Sequence, residues 1–98
     1  MLKRSKTKEA DKVKITFVQP AENPYLPAAV VGDFNNWDPS ANKLQKRSNQ
    51  TYSTSIVLEK DQQFVFRYYA KDGTWFNDEA ADAYTPNEYG SENGIVVT

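Results

Sequence analysis

From Lys12 onward, apolar and polar residues alternate one for one. Val13, Ile15 and Phe17 fall on one side, Lys14, Thr16 and Val18 on the other. Successive side chains of a strand point to opposite faces, so this spacing predicts a half-buried strand. The same period returns at Tyr52, Thr54, Ile56 and Leu58, which alternate with Thr51, Ser53, Ser55 and Val57, and again over residues 64–69. Ala28-Ala29-Val30-Val31 reads as a short strand ending at Gly32-Asp33. Residues 43–46 read as a weak strand and residues 94–98 as the closing one. Between these runs stand turn formers: Pro20, Asn23, Pro24 and Pro27, then the stretch from Phe34 to Ser40, then Ser48-Asn49-Gln50 and Lys60-Asp61. Asp72-Gly73 predicts a tight primed hairpin with positive φ at both central residues, folding Trp75-Phe76 back against Tyr68-Tyr69. Residues 77–90 read as an acidic loop, with at most one helical turn at Ala80-Ala81-Asp82-Ala83. About seven short strands with turns every eight to twelve residues define an all-β, immunoglobulin-like (early-set) β-sandwich.

The first eleven residues break this pattern. They are polar, charged and without period, and predict a mobile basic tail over 1–11 ahead of one module over 12–98. A chain of 98 residues suits one domain. Charge divides unevenly: net +4 over residues 1–14 and −5 over the rest. A folded part of negative sign is a poor match for a nucleic-acid backbone. No apolar run is long enough to span a membrane, and no apolar stretch follows the basic start as in a secretory leader. A cytoplasmic location is expected. With no Cys and no His, disulfides, a Ser-His-Asp triad, a Cys-His pair and an ordinary zinc site are all excluded. No cofactor is called for.

The candidate chemistry lies on the outward faces. In the strand 64–69, period two puts Phe64, Phe66 and Tyr68 on the core side. Val65, Arg67 and Tyr69 then face out. Trp75 folds alongside across the hairpin, and Trp37 is the other large unpaired ring. Such a surface suits a sugar. A pyranose lays its axial C–H patch flat on an indole, which is large, rigid and low in conformational entropy. Arg offers a planar fork of donors to neighbouring hydroxyls, and Asn donates and accepts as a hydroxyl does. Composition alone leaves the bland alternatives open: core packing for Trp37, a solvated charge for Arg67, hairpin-end packing for Trp75.

Three segments carry a family resemblance. Val31-Gly32-Asp33-Phe34-Asn35-Asn36-Trp37-Asp38-Pro39 resembles the signature of the family-48 carbohydrate-binding modules. Those include isoamylase-type early-set domains and the glycogen-binding domain of the AMP-activated kinase β-subunit. Phe66-Arg67-Tyr68-Tyr69-Ala70-Lys71-Asp72-Gly73-Thr74-Trp75, with Asp78 beyond, is similar to the family's strand–turn–Trp segment. Gly90-Ser91-Glu92-Asn93-Gly94-Ile95-Val96-Val97 is similar to its closing strand. The resemblance implies stacking of glucose on Trp37 and Trp75, hydroxyl contacts from Arg67 and a polar contact from Asn93. Arg67 stands where kinase-type members commonly have Lys. Tyr89 stands where they use an apolar side chain that pushes through the sugar helix, and Tyr can fill that place or stack.

The implied function is non-catalytic binding of an α-1,4-glucan such as glycogen, starch or a maltooligosaccharide. Hydrolysis requires two carboxyls flanking a cleft, for which so small a domain has little room. Asp78-Glu79-Asp82 matches no known Ca²⁺ loop and reads as a solvated face. The rival reading is a protein-interaction or regulatory adaptor for a glucan-metabolising enzyme or a kinase, without sugar binding, since one fold serves both ends.

Overall fold

A computed structural model describes residues 1–98. Nine strands form two antiparallel sheets packed face to face. The first sheet has the order β1 (Leu2–Lys6), β2 (Lys12–Pro20), β5 (Thr51–Glu59), β4 (Gln45–Lys46). The second has the order β3 (Ala28–Gly32), β6 (Gln63–Ala70), β9 (Glu92–Val97), β8 (Ala83–Pro86), with β7 (Trp75–Phe76) added on β6. There is no α-helix, and so none long and apolar enough to cross a membrane.

The alternations seen along the chain are the two faces of these strands. Val13, Ile15 and Phe17 of β2 and Leu58 of β5 meet Val30, Phe66, Tyr68 and Val96 of the facing sheet, all buried. Aromatic edges fill the space between the layers: Phe17 lies 5.2 Å from Phe66 edge-to-face, and Phe66 lies 5.9 Å from Tyr68. Such pairings satisfy the ring quadrupoles as well as burying area. Gly94 of β9 leaves room for Phe66, whose ring stands 3.3 Å from where a Cβ would be.

Two expectations are corrected at the termini of the pattern. Residues 2–6 are not a tail: they form β1, paired antiparallel to β2 from Leu2↔Phe17 to Lys6↔Val13. Their sequence has almost no apolar signal, because β1 is an edge strand with only Leu2 packed against the core. Polar ties hold the rest. The Met1 ammonium bonds both carboxylate oxygens of Asp78 at 2.9 and 2.7 Å, and Arg4 pairs with Asp82 and the Val97 carbonyl. Residues 77–90 are not all loop: they contain β8, whose register with β9 runs from Ala83↔Ile95 to Pro86↔Glu92. No helical turn forms at 80–83.

The 71–73 hairpin lands as expected, pairing Tyr68↔Phe76 and Tyr69↔Trp75. Its turn differs from the primed form. Gly73 alone has positive φ (91°), the Gly73 N–H donates to the Ala70 carbonyl, and the Ala70 N–H donates to the Thr74 carbonyl. That is a three-residue loop with Gly in the left-handed position, the next most common hairpin solution.

Asp78 is the one carboxylate in the interior. Besides the Met1 ammonium, it accepts from the Tyr68 hydroxyl at 2.7 Å, the Ala80 N–H at 2.8 Å and, weakly, Gln19 at 3.5 Å. Burial, then the neighbouring Asp78 charge, push the Tyr68 phenol well above its usual pKa, so it stays a donor. Asp78→Ala would strand the buried Tyr68 hydroxyl and release the start of β1. Urea unfolding is expected to show a loss of about 2–4 kcal/mol, with a lower midpoint. A loss under about 0.5 kcal/mol would contradict this role for Asp78.

Candidate functional site

The site grows from the outward face of the second sheet. On β6, Val65, Arg67 and Tyr69 alternate with the buried Phe66 and Tyr68. Register places Gly94 of β9 opposite the inward Phe66, so that its neighbour Asn93 faces out, and Trp75 of β7 opposite Tyr69. Cross-strand partners share a face. The outward face of this sheet therefore presents Arg67, Tyr69, Trp75 and Asn93 together.

Trp37 arrives from the loop after β3. That loop is tied down by its own side chains. Asn35 accepts from the Gly32 N–H at 3.0 Å and donates to the Val30 carbonyl at 3.1 Å and to Asn42 at 2.9 Å. Asp33 accepts from the Val65 N–H at 3.0 Å and from the Trp37 indole N–H at 3.2 Å. Phe34 turns inward, 5.6 Å from Phe17, while Trp37 is half-buried and lines an open groove. Asn36 and Trp37 both sit in the left-handed region, at φ 57° and 58°. Asn tolerates that conformation, but a bulky aromatic there is strained by about 1–3 kcal/mol. The Trp37 N–H bond to the Gly32 carbonyl, 3.0 Å, holds it. Gly32 is obligatory at this point: a Cβ would run into the Val65 carbonyl oxygen.

The segment 75–78 alternates its duties. Trp75 faces out, with its ring 4.7 Å from Tyr69 and the Arg67 guanidinium 5.9 Å from its centroid. Phe76 stacks inward on Tyr68 at 5.1 Å. Asn77 accepts from Arg67 Nε at 3.0 Å and donates to the Glu92 carbonyl at 2.8 Å, bracing the cation against the start of β9. Asp78 is the buried anchor described above. Partial burial draws the Arg67 pKa down from its usual value, and the guanidinium remains a cation at any ordinary pH. With Nε engaged, both terminal nitrogens stay free of protein partners.

Asn87 builds the β8–β9 turn. Its carbonyl oxygen accepts from the Tyr89 and Ser91 N–H groups at 3.0 and 3.1 Å, and its amide donates to Asn93 Oδ1 at 3.2 Å. Gly90, at φ 78°, closes the turn. Tyr89 stands in this turn, 84% exposed. The Asn93 amide keeps its own N–H groups free.

All five residues singled out from sequence, Trp37, Arg67, Trp75, Asn93 and Tyr89, line one open groove of about 810 Å³. Asn87 and Glu88 complete its lining. Sequence reasoning missed these two, and Asn77 behind Arg67, because they lie in the stretch read as loop. The turn-type string Asn87-Glu88-Tyr89-Gly90 was the available signal. The groove is mixed in character: indole and phenol rings, one cation, one carboxylate and two amides. Such a set can stack an apolar ring face and exchange hydrogen bonds with hydroxyls around it.

No family model matches the chain. Over 72 residues it is 38% identical to the amylopullulanase of Thermoanaerobacterium thermosulfurigenes. The matched stretch covers 69% of this chain and 3% of that enzyme. The chain is thus similar to a small fragment of an amylolytic enzyme.

Because the Asn87 side chain organises the turn that carries Tyr89, Asn87→Ala should loosen that tip alone. Amide exchange at Tyr89 and Ser91 is expected to quicken about tenfold, while the protection of β6 stays unchanged. Unaltered exchange at both amides would show that the turn holds without it.

Proposed function

We propose that this protein is a non-catalytic α-glucan-binding module of the family-48 type, recognising α-1,4-linked chains such as glycogen, starch or maltooligosaccharides. The observation that carries the reading is the convergence of both tryptophans of the chain on one groove with Arg67, Asn93 and Tyr89. Neither indole is in the core, and one is held outward at a backbone cost that packing does not explain. The likeness to part of an amylopullulanase supports the same ligand class.

The chemistry fits the ligand. Trp37 and Trp75 offer stacking faces. The free ends of Arg67 and the Asn93 amide donate to hydroxyls, and Glu88 accepts from them. Tyr89, exposed at the rim, closes over or threads the turn of a helical chain. Only one carboxylate, Glu88, lines the groove, whereas glycoside hydrolysis works with a pair flanking the bond. An open groove of this kind binds weakly, roughly in the micromolar to millimolar range.

Affinity electrophoresis through gels containing glycogen tests the proposal. Wild type should be retarded. Trp37→Ala and Trp75→Ala, each folded by circular dichroism, should lose about 1–3 kcal/mol of binding, roughly five- to 150-fold in affinity. A folded wild type that runs unretarded would sink the glucan reading and favour an adaptor role on the same aromatic surface.

A further inference from the structure

The aromatic face of the second sheet does not end at Trp75. On the far side of the Tyr69–Trp75 ring pair lies a second open groove, of about 390 Å³. Tyr69, Ala29 and Pro39 line it, together with the exposed Lys43 and Lys71. The two grooves have no lining residue in common, but they are built on shared elements and meet at the contact of Tyr69, which lines the second, with Trp75, which lines the first. Arg67 of the first and Tyr69 of the second are successive outward positions on β6, about 7 Å apart along the strand. Trp37 of the first and Pro39 of the second lie on one loop.

The chemistry of the second groove continues that of the first. Its surface is mostly apolar, with a proline ring and a phenol ring that suit the C–H face of a pyranose. Lys43 and Lys71 are exposed, and neither ammonium takes part in any of the three ion pairs of the protein. No carboxylate lines the groove. Its rim therefore offers hydrogen-bond donors with nothing of the protein to satisfy them, a match for hydroxyl oxygens.

We propose that this groove is an extension subsite, which takes further glucose units of the same α-glucan chain after it passes Trp75 and crosses the Tyr69 ring. The inference rests on the reading of the first groove as a glucan site. It deepens that reading by assigning a path for the chain beyond the first groove and a dependence of binding on chain length. A short oligosaccharide fills the first groove and meets neither lysine; a longer one reaches both.

The test is calorimetric titration of the full chain with maltotetraose and with maltodecaose, comparing wild type with the Lys43→Ala/Lys71→Ala double variant. Both lysines are exposed, so the variant is expected to keep the wild-type urea midpoint. Its affinity for maltotetraose should match wild type within about twofold, and its affinity for maltodecaose should fall about tenfold, the worth of two lost donors. What remains of the length dependence is then the statistical gain from sliding registers. An equal preference for maltodecaose in both proteins would overturn the extension subsite while leaving the first groove intact. Wild type that binds neither sugar would overturn the first-groove reading, and this inference with it.

Discussion

The two faces of β6 are the constraint on which the rest depends. Phe66 and Tyr68 must point inward, because Phe66 meets Phe17 of the facing sheet, while Tyr68 stacks on Phe76 and donates to the buried Asp78. Period two then leaves Arg67 and Tyr69 no direction but outward. β6 is also the strand that β3, β7 and β9 all pair with. Its register therefore sets where Trp75 and Asn93 emerge. A slip of one residue would exchange the core for the groove, so stability and site are specified by the same alternation.

Around that strand, the groove is assembled from parts already fixed without ligand. The indole of Trp37 is pinned through Asp33, Arg67 through Asn77, and the tip bearing Tyr89 through Asn87. Fixed rings and amides lose little freedom on contact, which matters where each stacked sugar contributes only a small free energy. The left-handed backbone at Trp37 belongs to the same logic. Strain at one residue is held by the hydrogen bonds of its loop, and a large, half-buried apolar ring is thereby brought to the groove lining.

Much of this was legible along the chain. Strict alternation located β2, β5 and β6 and assigned their faces, and Asp72-Gly73 located the hairpin that delivers Trp75. What escaped was structure without a hydrophobic signature. β1 is charged at three of its five positions, and its place is set by pairing to β2 and by Asp78, a residue 77 positions from Met1. β8 is exposed over most of its four residues, so its sequence carries no half-buried alternation. With β8 unread, the groove wall at Asn87 and Glu88 was out of sight. Asn77 lay in the same stretch, and its bracing role shows itself only when both of its partners, Arg67 and the Glu92 carbonyl, are in place.

The central claim is that a glucan chain lies across both indoles. The most direct measurement is a ¹⁵N–¹H correlation spectrum of the protein titrated with maltoheptaose. The two indole N–H signals are assignable because the chain has only two tryptophans. The account predicts that both shift, together with the Arg67 and Asn93 side-chain signals and the Tyr89 amide, while the residues of β2 and β5 stay still. Shifts confined to the opposite sheet, or two indole signals unmoved at saturating sugar, would contradict it.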